Sequence, residues 1–166
     1  MLLYNQYEYT QENIDKLSID IRSNLVDNLI SDEFRDDFAP DYHRWKRKYF
    51  GLCVPATFVF LYFMNTNRLT AMKGKLEVDG GVYPFEETHY WVKDKDTGAI
   101  IDLTKEQYTD NELELLYATG KTAKYYGHKE NPTARFFRLM KMVQPSITDY
   151  ITTDINNTSN LTQFMS

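Results

Sequence analysis

Gly51-Leu52-Cys53-Val54-Pro55-Ala56-Thr57-Phe58 holds the one cysteine in a chain of 166 residues. From Ala56 to Phe63 the sequence is almost wholly apolar, which predicts a buried helix from about Cys53 to Asn65. Gly51 permits a sharp entry. Pro55 is acceptable in a first helical turn, where its missing N–H is not needed. Cys53 is therefore expected at the helix N-terminus. Unpaired N–H groups and the helix dipole favour a thiolate there, the setting a nucleophile needs. A cysteine alone in that place is more often a small core residue. The chemistry depends on whether the rest of the chain supplies a base.

Upstream, Thr10 is a cap for a helix from Gln11 to about Ile30, with Ile14, Leu17, Ile21, Leu25 and Leu29 forming one stripe. Ser31 is a cap for a shorter helix through Phe38, broken by Ala39-Pro40. Asp32, Glu33, Asp36, Asp37 and Asp41 make this stretch acidic, and Tyr42 to Tyr49 after it is the most basic in the chain. Two solvated faces are the plain reading. The functional reading is a positive rim beside Cys53 that supports its thiolate or holds an acidic substrate.

Downstream the pattern becomes extended. Leu69 to Val78 alternates loosely and ends in the turn signal Asp79-Gly80-Gly81. Glu87 to Lys93 and Ala99 to Leu103 read as two strands of an antiparallel hairpin around the polar turn Asp94-Lys95-Asp96-Thr97-Gly98. Asp110 or Asn111 is a cap for a helix carrying Leu113, Leu115, Leu116 and Tyr117, stopped by Gly120. Lys121 to Tyr126 is expected to return as a strand. Pro132 would start a last helix with Phe136, Phe137, Leu139, Met140 and Val143, ended by Pro145.

The hairpin carries what Cys53 lacks. His89 stands on its first strand and Asp102 at the end of the second. A turn centred near 95–96 makes these two direct cross-strand neighbours, with Cβ atoms about 4.5–5.5 Å apart. The carboxylate would then orient the imidazole, whose other nitrogen takes the thiol proton. Singly, His89 is an ordinary hydrogen-bonded strand residue and Asp102 a turn former. Together with Cys53 they make a candidate Cys-His-Asp triad. His43, in the basic stretch, and His128, beside Gly127, are less well placed, and a metal site built from the three histidines lacks a ligand motif.

Gly51-Leu52-Cys53-Val54-Pro55-Ala56 and His89-Tyr90-Trp91-Val92…Gly98…Asp102-Leu103-Thr104 resemble the core of the transglutaminase-like superfamily, within the papain-like fold. The resemblance spans roughly residues 45 to 108. It implies a central helix that begins at the cysteine, a histidine in a His-x-Trp setting, and an aspartate on the next strand. Leu103 stands where proline often follows that aspartate, and Arg47 where papain-type enzymes carry glutamine. The main-chain N–H of Cys53 is one oxyanion donor; the second is unassigned. The resemblance further implies a cysteine-dependent acyl-transfer enzyme. Hydrolysis by a peptidase, amidase or deamidase is favoured over cross-linking, because nothing marks an amine-binding or calcium site. The competing class is a papain-like-fold binding protein without turnover.

Bulk properties narrow the choice. The length suits one α+β domain over residues 1–147, with a polar tail over 148–166 rich in Asn and Thr. The net charge of -5 argues against a general nucleic-acid binder. That also counts against a nucleic-acid role for Arg44, Trp45, Lys46, Arg47 and Lys48. A single cysteine excludes an internal disulfide and fits a reducing compartment, so a cytoplasmic location is expected. The first residues lack the pattern of a signal peptide, and no run approaches the roughly 20 apolar residues of a membrane span. A protein or peptide-like substrate is expected, and no cofactor.

Overall fold

The computed structural model describes residues 5–30, 47–79, 84–124 and 134–147. Helices and an antiparallel sheet share these residues, an α+β fold as the patterning predicts. Helix α1 (Gln11–Ser23) starts where expected: Thr10 is extended, and its hydroxyl accepts the Asn13 N–H at 3.1 Å. It ends sooner than Ile30. The Asn24 amide donates to the Asp20 carbonyl, the Asn24 N–H donates to Ile21, and the chain leaves in an extended conformation at Val26. Leu29 reaches the core from a single 3-10 turn, Asp27–Leu29.

Helix α2 (Cys53–Met64) is apolar on every side, and all of its residues except Val54 are buried. Asn65 closes it in the left-handed conformation, its N–H donating to Leu61. The fully buried Phe58, Phe60, Tyr62 and Phe63 contribute roughly 1.5–3 kcal/mol each by leaving water, which makes this helix the centre of the core.

The sheet lies against α2 in the order β3-β2-β1-β4, antiparallel throughout. Strands β1 (Leu69–Asp79) and β2 (Pro84–Asp94) pair along their whole length, while β3 (Ile100–Ile101) and β4 (Lys121–Thr122) are two residues each. Alternation along β2 splits its side chains between two cores. Tyr90 and Val92 join α2, whereas Trp91 packs with Tyr108, Leu113 and Leu116 under helix α3 (Asp110–Thr119).

The cap of α3 is Thr109, one residue before the expected positions. Thr109 and Glu112 exchange side-chain-to-backbone hydrogen bonds, a capping box. Gly120 after it is demanded by packing: a Cβ there would lie 2.4 Å from the Trp91 ring. Helix α4 (Ala134–Val143) buries Phe136, Phe137, Leu139 and Met140 as expected, and the Phe136 ring stacks on Phe58 at 5.8 Å. The predicted Ser31–Phe38 helix, the Gly80-Gly81 turn, Pro132 and residues 148–166 lie outside the described residues. No helix among the described residues is long and apolar enough to cross a membrane.

Candidate active site

Cys53 is the first residue of α2, and two local turns deliver it there. Phe50 N–H donates to Arg47 and Leu52 N–H to Tyr49, with Gly51 at φ 77 between them. A side chain is strained at that φ, which is why glycine precedes the cysteine. As the opening residue, Cys53 has a main-chain N–H with no carbonyl to meet inside the helix.

Gln107 pins this entry in place. Its side-chain oxygen accepts the Gly51 N–H at 3.0 Å, and its side-chain nitrogen donates to the Thr104 carbonyl at 3.2 Å. Arg47 reinforces the same joint, donating to the Gln107 carbonyl and to the Glu112 carboxylate, both at 2.9 Å. Of the basic stretch, Arg47 is therefore a brace between segments, and Lys48 lies over the Tyr49 ring. Trp45 and His43 lie outside the described residues, as does His128.

His89 is wholly buried on β2, flanked by the rings of Trp91 at 5.8 Å and Tyr108 at 4.7 Å. Its Nε2 and the Asp102 Oδ2 are 2.7 Å apart. The same oxygen accepts the Tyr117 hydroxyl at 2.7 Å, and Oδ1 accepts the Thr104 N–H at 3.1 Å. The Tyr117 hydroxyl and the Thr104 N–H thus both donate to the Asp102 carboxylate and so orient it.

The two residues meet, but not as direct cross-strand neighbours. The register is Val92↔Ile101 and Lys93↔Ile100, two positions from the one expected. Asp94 causes this. Its carboxylate accepts the N–H groups of Asp96 and Thr97, and Gly98 turns at φ 76, so four residues (95–98) fill the turn. Continued by one residue, that register sets Asp102 opposite Trp91 and diagonal to His89 on the same face. Diagonal side chains of this length still touch.

Asp102 occupies Nε2, and the other ring nitrogen, Nδ1, is buried without a hydrogen-bond partner among the described residues. Cys53 is close enough to act on the ring electrostatically. Burial pushes the imidazole pKa down. The hydrogen bond to Asp102, the Cys53 sulfur and the charges of both more than offset it, raising the value to about 9. A protonated imidazole at neutral pH is what this raised value favours.

Three side chains here carried no signal in the sequence. Tyr117 was legible only as part of an apolar face, although burial and the nearby Asp102 charge push its phenol pKa well up and so keep it a donor. No pattern in the sequence singles out Gln107. Arg135, in the first turn of α4, is half-buried, and the charge of Cys53 acts on it.

A cleft of about 850 Å³ opens at the far end of this line, against Asp102, Tyr108 and Tyr117, and does not include Cys53 or His89. Among the described residues no three His, Cys, Asp or Glu side chains are grouped to hold a metal ion. Compared with known protein families, curated proteins and solved structures, the chain matches none.

Proposed function

We propose that the chain is a cysteine-dependent acyl-transfer enzyme on a papain-like, transglutaminase-like core, working as a hydrolase of an amide or ester. The observation that carries this is the buried 2.7 Å His89–Asp102 pair, whose imidazole feels the charge of Cys53, the first residue of a buried helix. The Cys53 thiolate attacks the carbonyl carbon, and the proton it gave up rests on His89. Collapse of the tetrahedral adduct breaks the bond to the leaving group, which takes that proton from His89. Water, losing a proton to His89, then hydrolyses the thioester and restores the thiol. Asp102 stabilises the imidazolium and fixes its tautomer, and the Cys53 N–H stabilises the oxyanion. A protein or peptide-like substrate and a reducing, cytoplasmic setting belong to the same reading.

A second reading, a binding protein without turnover, is favoured by the depth of the pair: Cys53 is 5% exposed and His89 0%. One measurement separates the two. Iodoacetamide should alkylate Cys53 near pH 6 far faster than it does an ordinary cysteine, and His89→Ala should slow this at least about tenfold. A wild-type rate no greater than that of a free thiol would leave the binding protein as the reading.

A further inference from the structure

One oxygen of Asp102, Oδ2, serves two residues at once. The Tyr117 hydroxyl donates to it at 2.7 Å, and His89 Nε2 lies 2.7 Å from it. The Thr104 N–H takes the other oxygen at 3.1 Å, so the phenol shares the imidazole's own acceptor. Burial, and after it the Asp102 charge, keep the phenol protonated and therefore a donor.

Packing holds the hydroxyl in that place. The Tyr117 ring stands edge-on to Trp91 at 5.1 Å and 64°, and Trp91 in turn flanks His89 at 5.8 Å. Helix α3 comes this close because Gly74, the residue of β1 opposite His89, leaves room for it. A Cβ there would lie 2.8 Å from the carbonyl oxygen of Leu116, the residue before Tyr117. The titratable groups facing this unit are Cys53 on α2, Tyr108, and Glu106, which is paired with Arg22 of α1. Lys105, Asp110 and Glu114 line the cleft beside it.

We infer that Tyr117 is a positioning residue for the proton transfers of His89: its hydroxyl turns the Asp102 carboxylate toward Nε2 and draws off part of the negative charge of Oδ2. The inference rests on the proposed chemistry of Cys53 and His89. A donor on a carboxylate stabilises its charge and so weakens its hold on a second donor at the same oxygen. In acyl transfer His89 keeps a proton between attack and collapse, then gives it to the leaving group. The ring titrates at about 9 with the phenol in place. A still more basic imidazole would be a poorer acid toward that group, and the phenol opposes this.

Titration of the His89 ring reads this effect, by 15N NMR of the full chain, with the His89 signal identified by its absence in His89→Gln. Tyr117→Phe keeps the ring on Trp91 and removes only the donor. It should raise the midpoint by roughly 0.5–1 pH unit, a fraction of what a hydrogen bond to a charged group is worth. Incorporation of 3-fluorotyrosine at position 117, a stronger donor of nearly the same shape, should lower it. The alkaline inflection in the pH profile of Cys53 alkylation by iodoacetamide should move with the midpoint in both.

A midpoint that does not move in opposite directions in the two variants would overturn the proposal. Fast iodoacetamide reaction of the wild type would then still leave Cys53 standing as the nucleophile. A midpoint that moves while the alkylation profile stays put would overturn it too, because the phenol would act on the pair and not on the reaction. Slow alkylation of the wild type would remove the nucleophile, and with it any reaction for Tyr117 to serve, whatever the midpoint does. If Tyr117→Phe loses its circular-dichroism signal, the fluorotyrosine chain is read alone: a lowered midpoint is expected, and an unmoved one overturns the proposal.

Discussion

At the scale of the residue, His89 decides how the site responds to pH. Its imidazole pKa is raised to about 9 in the fold against an ordinary 6.5. A group raised on folding stabilises most while it is charged in both states, below the unfolded value. That stabilisation is lost as pH climbs through the folded value. The wild type should therefore be more stable than His89→Gln near pH 6 by a margin that shrinks by up to about 3 kcal/mol toward pH 9, as read by urea unfolding. A margin independent of pH would show that the imidazole is neutral in the fold. Tyr117 belongs to the same unit, because its hydroxyl donates to the oxygen that Nε2 faces.

At the scale of the element, the site is a junction of three pieces of chain: the start of α2, the middle of β2 and the segment leaving β3. Gln107 spans two of them through Gly51 and Thr104, and the Thr104 N–H in turn holds Asp102. Gln107→Ala leaves a half-buried N–H and a buried carbonyl without partners, at about 1–3 kcal/mol. Alkylation of Cys53 should slow several-fold with the circular-dichroism spectrum unchanged. Gln107→Glu separates positioning from mere stability. A protonated glutamic acid can still accept from Gly51 and donate to Thr104, whereas the carboxylate repels that carbonyl. Alkylation of Gln107→Glu relative to wild type should thus recover as pH falls toward about 5. No recovery would limit Gln107 to packing.

At the scale of the whole molecule, one buried carboxylate gathers distant parts. Asp94 accepts from Tyr9 before α1, from Arg68 between α2 and β1, and from two N–H groups of its own turn. Arg68 also lies over the Tyr9 ring at 4.5 Å. The Arg68 hydrogen bond, against the cost of burial, holds the Asp94 carboxyl below the usual carboxylate range, and the Tyr9 and turn donors add to it. A depressed pKa contributes stability above the ordinary value of 3.8 that is lost as pH falls through the folded one. Asp94→Asn should lower the melting temperature at neutral pH, and the difference should close in strong acid. Because this turn sets the register that puts Asp102 diagonal to His89, Cys53 alkylation should slow as well. Unchanged alkylation would mean that the Asp102 segment is held by Gln107 and Tyr117 alone.

Much of the architecture was legible in local pattern. The unbroken apolar run marked α2 and put Cys53 at its head, because a helix buried on all sides needs no polar face. Thr10 and the stripe after it located α1, and alternation located β1 and β2, since caps and periodicity act within a few residues. The order Cys53, His89, Asp102 was likewise readable as a candidate triad. What only the tertiary structure decided depends on segments far apart in the chain. The hairpin register followed from hydrogen bonds that Asp94 makes across its turn, and the cap of α3 from a reciprocal bond with Glu112. Tyr117 sits 15 residues from Asp102 and Gln107 54 from Cys53, where no sequence period reaches. Packing of α3 against the sheet brings Tyr117 to Asp102, and hydrogen bonds to Gly51 and Thr104 hold Gln107 at the entry to α2, both properties of the folded chain as a whole.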